Sequence, residues 1–378
     1  MAKRNSLTNL LWELVAIPSI NPSLDHEGIG CGEEPVATYL QSLAEKKGLE
    51  VGRQTVLPGR ENLIIRLTPS GKVRQKILLA PHLDVVPAPL SSFSPKISKG
   101  RLHGRGSCDT KASVACFFHA LTALADSPQR PKETEISFIG LVDEEFAQSG
   151  SRKFAKLGPK GDLAIVGEPT QLQVVTAHKG SLWIQLKTLG KSAHGATPEK
   201  GINAIEAMQR VLGILYHEYP RLLSRRMHPL LGQATLSVGA IHGGSQPNVV
   251  PDLCMVDLDR RTLPGESING IIQELEASFR CLGAQKPEVR ISRTVPCPPL
   301  QTDPDLPLVR LFLQKVGRRK SHGVPYFTDA SPVAMGGTPA IVFGPGNIDQ
   351  AHSRDEWVSL EEVERGHAKI LHFLQSLP

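Results

Sequence analysis

Residues 76–84 read Lys-Ile-Leu-Leu-Ala-Pro-His-Leu-Asp, an apolar run that ends in a histidine and an aspartate. Apolar side chains on both faces of the run predict a strand that is buried on both sides, as in a parallel sheet covered by helices. Similar apolar runs recur at 63–67, 135–141, 163–166 and 340–343. Residues 34–47 and 111–125 instead carry helical spacing. Strands that alternate with helices predict an α/β fold with a mostly parallel sheet.

The middle of the chain has a different pattern. In residues 252–261 apolar and polar side chains alternate, which predicts a sheet with one exposed face. The predicted order is strand, helix, strand, strand, helix, strand, at 182–189, 202–216, 233–240, 252–261, 267–283 and 287–294. This βαββαβ order is that of a ferredoxin-like domain. We therefore predict a main domain formed by 1–179 and 295–378, with a second domain, 180–294, inserted into it.

The composition predicts a soluble globular protein, because 40% of the 378 residues are apolar and 21% are charged. The net charge of +6 comes from basic residues spread along the chain, and aromatic residues make up 5%, so no nucleic-acid partner is expected. No apolar run approaches the ~20 residues of a membrane span, so no membrane partner is expected. Six dispersed cysteines without a C-x-x-C pair predict reduced thiols in a cytoplasmic protein.

Side chains that bind metal cations follow several of the predicted strands or open the helix at 111–125. They are His82, Asp84, Asp109, Asp143, Glu144, Glu145, Glu168 and His352. Ligands of open α/β sheets bind beyond the carboxyl ends of the strands, so these positions are expected to converge. Each has an ordinary alternative: Asp109 or Thr110 as a helix cap, the glutamates as solvated turns, and His352 as a surface histidine. Together, two histidines and several carboxylates favour a metal site.

The order of these motifs is similar to that of the di-zinc metallopeptidase and aminoacylase family, which includes acetylornithine deacetylase, succinyl-diaminopimelate desuccinylase and carboxypeptidase G-type enzymes. The resemblance covers essentially the whole chain. Its segments are HLDVVP at 82–87, GRGSCDTK at 104–111, DEE at 143–145, GEPT at 167–170 and AHSRDE at 351–356. The resemblance implies a metal-dependent amidohydrolase that removes an acyl group from a small N-acyl amino acid.

The resemblance also implies a role for each matched metal ligand. Asp109 would bridge two zinc ions, with cobalt as a possible alternative metal. His82 and Glu168 would bind one ion, and Glu145 and His352 would bind the other.

Two further acids would act beside the metals. Two consecutive acids after a strand point in different directions, so one of Glu144 and Glu145 can bind metal while its neighbour faces a bound water. The resemblance makes Glu144 the general base, which takes a proton from that water and passes it to the leaving nitrogen. Asp84 shares a face of the extended chain with His82 and would orient the metal site without binding metal itself.

The inserted domain resembles the family's lid and dimerisation domain, in SAHG at 192–195 and NVVP at 248–251. The resemblance implies a homodimer in which His194 reaches the neighbouring subunit's active site and stabilises the oxyanion. Asn248 lies in the segment similar to the substrate loop. Arg261 would bind the substrate α-carboxylate. Arg260 receives no role and is interpreted as an exposed strand residue.

Other functions remain open on the same sequence. A dipeptidase, a carboxypeptidase or a desuccinylase would use the same metal site, because these substrates differ in what fills the acyl and side-chain pockets. A catalytically silent scaffold is disfavoured because Glu144 and every expected ligand are present. A serine hydrolase is disfavoured because the chain has no G-x-S-x-G segment. Asp329 could bind the amine of ornithine or could cap a buried loop.

Overall fold

The computed structural model describes residues 5–25, 28, 32–292 and 295–378, so Cys31 and the end of the strand predicted at 287–294 lie outside the described residues. The described residues form two compact units. The first unit is Met1–Thr176, Thr302–His322 and Thr328–Pro378, and the second unit is Ala177–Gln301 and Gly323–Phe327. Of the helices in the described part of the chain, none combines the length and the apolar composition needed to cross a bilayer.

Helices and strands follow one another along the chain as listed next. The helices are α1 Ser6–Ala16, α2 Glu34–Lys46, α3 Lys111–Ala125, α4 Ser149–Leu157, α5 Ala204–His217, α6 Tyr219–Leu223, α7 Ile268–Ser278, α8 Pro307–Lys315, α9 Ala330–Met335 and α10 Leu360–Gln375. The strands are β1 Glu50–Leu57, β2 Arg60–Leu67, β3 Gln75–Pro81, β4 Lys96–Ser98, β5 Arg101–His103, β6 Thr134–Gly140, β7 Leu163–Gly167, β8 Val175–His178, β9 Gly180–Leu189, β10 Met227–His228, β11 Gly232–Gln233, β12 Thr235–Gly243, β13 Leu253–Thr262, β14 Glu288–Ile291, β15 Leu300–Gln301, β16 His322–Val324, β17 Ala340–Val342 and β18 Trp357–Ser359.

The first unit is built around a sheet whose strand order is β1-β2-β6-β3-β7-β17-β8. The four central strands β6, β3, β7 and β17 are parallel, and Leu79 of β3 pairs with Phe138 of β6 and Ile165 of β7. β1, β2 and β8 add antiparallel edges. The predicted α/β fold with a parallel centre is confirmed. Parallel strands place their carboxyl ends at one edge of the sheet, which is where the predicted ligands follow them.

The apolar run of β3 is explained by burial on both of its faces. Ile77 and Leu79 join a core cluster with side chains of α1, α2, α3, α8 and α10. Leu78 and Ala80 point to the opposite face and are also buried. A strand covered on both sides has no polar face, so it reads as a continuous apolar segment.

The second unit contains an antiparallel sheet of order β12-β13-β9-β14. Counted along the unit this is 2-3-1-4, the strand order of a ferredoxin-like fold, and the predicted βαββαβ succession is observed. The helix predicted at 267–283 is too long, because α7 ends at Ser278 and a 3-10 turn follows, in which Gly283 has a φ of 56°. A left-handed residue of this kind cannot continue an α-helix.

The interpretation of Arg260 as an exposed strand residue is wrong. Its side chain is fully buried, with the same strand parity as the buried Val256 and Leu258. Its Nη2 donates to Glu266 Oε1 at 2.7 Å, and its Nε donates to the Tyr219 hydroxyl at 3.4 Å. The alternating pattern placed Arg260 on the inner face, and the Glu266 carboxylate compensates the buried charge.

Candidate metal centre

The residues predicted to bind metal all lie in the first unit, beyond the ends of neighbouring strands. His82 directly follows β3, and Glu168 directly follows β7. The parallel pairing of β3 with β6 continues past both strands, because Leu141 N donates to Pro81 O at 2.9 Å and Leu83 N donates to Leu141 O at 2.8 Å. This extension carries the segment 143–145 to the same edge of the sheet as His82.

Asp109 lies at the centre of this group. Its Oδ1 is 3.1 Å from Nε2 of His82, and its Oδ2 is 3.3 Å from Nε2 of His352. Glu168 Oε1 lies 3.9 Å from the same His82 nitrogen, and Glu145 Oε2 lies 3.0 Å from the His352 nitrogen. The two carboxylate oxygens of Asp109 therefore face two different pairs of one histidine and one glutamate.

The interpretation of Asp109 or Thr110 as a side-chain helix cap is wrong. Thr110 occupies the N-cap position of α3, but its side chain makes no capping hydrogen bond. Its Oγ1 instead donates to Gly167 O at 3.0 Å. This bond ties the start of α3 to the last residue of β7, directly before Glu168.

His82 is buried and oriented by the residue two positions ahead. Its Nδ1 donates to the backbone carbonyl of Asp84 at 3.0 Å. In a neutral imidazole this bond leaves the lone pair on Nε2, the nitrogen that faces Asp109. In its neutral form His82 would therefore take the tautomer that a metal ligand needs.

Asp84 holds the segment that carries the two glutamates. Its Oδ1 accepts from Glu144 N at 3.1 Å, and its Oδ2 accepts from Glu145 N at 3.0 Å. Oδ2 also accepts from Asn21 Nδ2 at 2.7 Å. The Asp84 side chain is completely buried, so these bonds are shielded from water. Asp84 therefore fixes His82 through its carbonyl and Glu144 and Glu145 through its carboxylate.

A second group of buried charges lies behind this segment, and sequence reasoning missed most of it. Arg60 donates from Nη1 to Asp143 Oδ1 at 2.9 Å and from Nε to Glu33 Oε2 at 3.0 Å. Glu33 Oε1 in turn accepts from Asp143 N at 3.1 Å. Asp143 has a φ of 69°, a conformation that costs energy for a residue with a side chain. The bonds to Arg60 and Glu33 stabilise that turn. Neither Arg60 nor Glu33 stands in a motif.

The electrostatics of the group show an excess of buried negative charge. Burial, and after it the nearby charge of Asp109, raise the pKa of Glu145 to about 7. Burial and then the charge of Glu168 raise the pKa of Glu144 well above its usual value. Hydrogen bonds to Asp109 and Glu145 raise the pKa of His352 to about 10. Carboxylates crowded in this way favour a positive charge among them.

The donor set fits a metal cation. One nitrogen of His82 and one carboxylate oxygen each of Asp109 and Glu145 lie within 4.8 Å of one another. Within the part of the chain that the structure describes, the buried Oε1 atoms of Glu145 and Glu168 have no hydrogen-bond partner. Buried carboxylate oxygens without a donor are costly unless a cation satisfies them. Imidazole nitrogen combined with carboxylate oxygen is a ligand set that zinc accepts.

Asp329 also lies close to these acids. Its side chain is buried, and its Oδ1 accepts from Ser151 Oγ. It precedes α9 but makes no side-chain capping hydrogen bond to that helix. Burial raises the pKa of Asp329 to about 7, and its charge contributes to the raised pKa of Glu144 and Glu168.

The remaining predicted site residues lie in the second unit. His194 forms an antiparallel bridge with Val249, and Gly195 N donates to Asn248 O at 2.7 Å, so the structure brings the segments of His194 and Asn248 together. Arg261 donates from Nε to Asp259 Oδ2 at 2.9 Å, and its guanidinium carbon lies 5.7 Å from the centre of the Phe327 ring. Asp259 thereby orients the Arg261 fork.

The chain is similar in sequence to a known protein family and to enzymes of known activity. A family model described as peptidase family M20/M25/M40 matches residues 78–376. An acetylornithine deacetylase from Vibrio atlanticus (strain LGP32) is 32% identical over 360 residues, which cover 92% of each chain.

Solved structures show the same fold at lower identity. A tripeptidase from Staphylococcus aureus is similar with a TM-score of 0.77 and 20% identity, over 98% of this chain and 97% of that chain. A dinuclear metal-binding peptidase of the M20 family from Bacillus subtilis has a TM-score of 0.71 and 14% identity, over 98% and 96% of the two chains.

Proposed function

The chain belongs to peptidase family M20/M25/M40 and is a metal-dependent hydrolase of amide bonds, and we propose that it releases the acyl group from an N-acyl amino acid. N-acetylornithine is the foremost substrate candidate. The observation that carries this proposal is the similarity to acetylornithine deacetylase over almost the whole chain, together with a buried group of His and carboxylate side chains at the sheet edge.

We propose that the site holds two metal ions and that they are zinc. The support is the position of Asp109, whose two oxygens face His82 with Glu168 and His352 with Glu145 respectively. The Bacillus subtilis peptidase of the same fold is described as dinuclear. Two divalent cations bound here would polarise the scissile carbonyl and lower the pKa of a water.

The residues of the chain divide the remaining work. Glu144 would take the proton from the attacking water and deliver it to the leaving nitrogen. Asp84 fixes the backbone N–H groups of Glu144 and Glu145, so the base and its neighbouring ligand keep a constant spacing. Burial of Glu144 excludes bulk water that would compete for the proton.

The second unit would supply substrate contacts, as a lid and dimerisation domain. We propose a homodimer in which His194 reaches the neighbouring subunit's site and donates to the developing oxyanion. Asn248 would contact substrate from the paired segment. Arg261, oriented by Asp259, would bind the α-carboxylate with its two terminal nitrogens.

The test is amine release from four substrates in the presence of Zn²⁺ or Co²⁺: N-acetylornithine, N-succinyl-diaminopimelate, N-acetylmethionine and a glycine dipeptide. We expect N-acetylornithine to be hydrolysed fastest. Glu144→Gln keeps the size of the side chain and should lower kcat by roughly 10²–10⁴-fold while the bound metal is retained. Glu361→Gln, the same change at an exposed position, is the matched control.

The panel also separates the competing functions. Preferential cleavage of the dipeptide would replace the proposal by a peptidase, and preferential cleavage of the succinyl compound would replace it by a desuccinylase. A folded protein that binds no metal would contradict the catalytic proposal altogether.

A further inference from the structure

The carboxylate of Glu356 is the acceptor for four hydrogen bonds from the loop that carries Asp109. Oε1 accepts from Cys108 N at 2.8 Å and from Asp109 N at 3.0 Å. Oε2 accepts from Gly106 N at 2.9 Å and from Arg105 Nη1 at 2.7 Å. Glu356 is only 3% exposed, so water does not compete for these bonds. Hydrogen bonds to an ionised carboxylate are about twice as strong as neutral ones.

The loop is not part of a regular strand or helix, and its own backbone adds single hydrogen bonds, from Arg105 N to Ser92 O at 2.9 Å and from Ser107 N to Gly104 O at 3.1 Å. Gly106 has a φ of 80°, and a Cβ atom on it would come within 2.7 Å of Val85 Cγ1. A segment that passes so close to its neighbour needs glycine, and glycine has no side chain to anchor it. Three backbone N–H groups of the loop donate to the Glu356 carboxylate. They are thereby satisfied by a side chain and not by the backbone carbonyls of a regular strand or helix.

Glu356 is also fixed to the strand that leads into this loop. Its carbonyl accepts from Gly104 N at 3.0 Å. The strand that follows it, β18, pairs with β5, with Trp357 opposite His103. Because His352 lies four residues before Glu356, the segment that carries His352 and the segment that carries Asp109 are joined at one point.

We propose that Glu356 is a positioning residue, which sets the spacing between Asp109 and His352 and thereby the metal affinity of the site. The inference rests on the proposed function, in which Asp109 and His352 are both metal ligands. The 3.3 Å distance between Asp109 Oδ2 and His352 Nε2 connects positions that are 243 residues apart in the sequence, and the Glu356 carboxylate maintains this distance. A residue that merely stabilised the fold would change the unfolding transition without changing the affinity of the folded protein for metal.

The test measures Zn²⁺ binding by competition with a chromophoric chelator in Glu356→Gln, with Glu361→Gln as the control at an exposed position. Glutamine keeps one acceptor oxygen but turns an NH₂ group toward donors of the loop. We expect Zn²⁺ affinity to fall about 10–100-fold in the folded variant, which is the usual cost of losing a partner of a metal ligand. The visible absorption spectrum of the Co²⁺-loaded protein should change as well.

Wild-type Zn²⁺ affinity and an unchanged Co²⁺ spectrum in folded Glu356→Gln would overturn the inference and leave the proposed function intact. A wild-type protein that binds no metal would overturn the proposed function first. If Glu356→Gln does not fold, Glu356→Asp is measured in the same way. Its shorter side chain keeps the charge but cannot reach all the donors, so wild-type affinity in that variant would also overturn the inference.

Discussion

Replacing Asp84 by asparagine is expected to loosen the segment that carries Glu144 and Glu145. The asparagine side chain has one acceptor oxygen where the carboxylate has two. It should keep this oxygen at the Oδ2 position, where Glu145 N and Asn21 Nδ2 converge at 3.0 and 2.7 Å. Its NH₂ group then faces Glu144 N, which had donated to Oδ1 at 3.1 Å.

The expected cost follows from that geometry. The hydrogen bond lost to a charged acceptor is worth about 1.5–3 kcal/mol, and the buried donors left facing each other add about 1–3 kcal/mol. We therefore expect the free energy of unfolding to fall by about 2.5–6 kcal/mol. Zn²⁺ affinity should fall too, because the Asp84 segment orients both His82 and Glu145.

The assay is urea unfolding of the metal-free proteins followed by circular dichroism. Asp355→Asn, the same substitution at an exposed position, should stay within about 0.5 kcal/mol of the wild type. An Asp84→Asn variant that unfolds with the wild-type free energy would refute the reasoning, since it would show that the three bonds to Asp84 add nothing to the folded state.

Three further outcomes are expected. Removal of metal by a chelator should abolish hydrolysis, and Zn²⁺ at 100 times its Kd should stabilise the protein by about 2.7 kcal/mol; identical unfolding with and without Zn²⁺ would contradict this. His194→Ala should lower kcat about 10²–10³-fold at constant metal content, and an unchanged rate would remove its proposed role. Arg261→Lys should raise KM about tenfold because the bidentate fork is lost, and a wild-type KM would place the α-carboxylate elsewhere.

The sheet could be predicted because burial leaves a mark on single segments. The run at 77–81 is apolar throughout since both faces of β3 are covered, and the alternation at 252–261 follows from a strand with one inner face. The same alternation predicts that Arg260 is buried, because Arg260 lies on the same face of the strand as Val256 and Leu258. The positive charge of Arg260 suggested an exposed side chain, and its partner Glu266 could not be identified from the sequence.

The candidate ligands could be identified because their residue types follow strands whose ends meet at one edge. The partners that hold them could not. Asn21 binds Asp84 across 63 positions, and Glu356 binds the loop of Asp109 across 247 positions. Glu356 belongs to the same sequence segment as His352, so the residue itself could be seen in the sequence. That its side chain is buried could not be predicted.

The sequence by itself determined the alternation of strands and helices, the βαββαβ succession of the second unit and the chemical types at the sheet edge. These depend on local periodicity and composition, which each segment carries alone. Only the tertiary structure decided which oxygen of Asp109 faces which histidine, and which carboxylate fixes the loop at Gly106. Such contacts depend on directional bonds between side chains that the fold brings together from distant positions, and no local pattern encodes those directions.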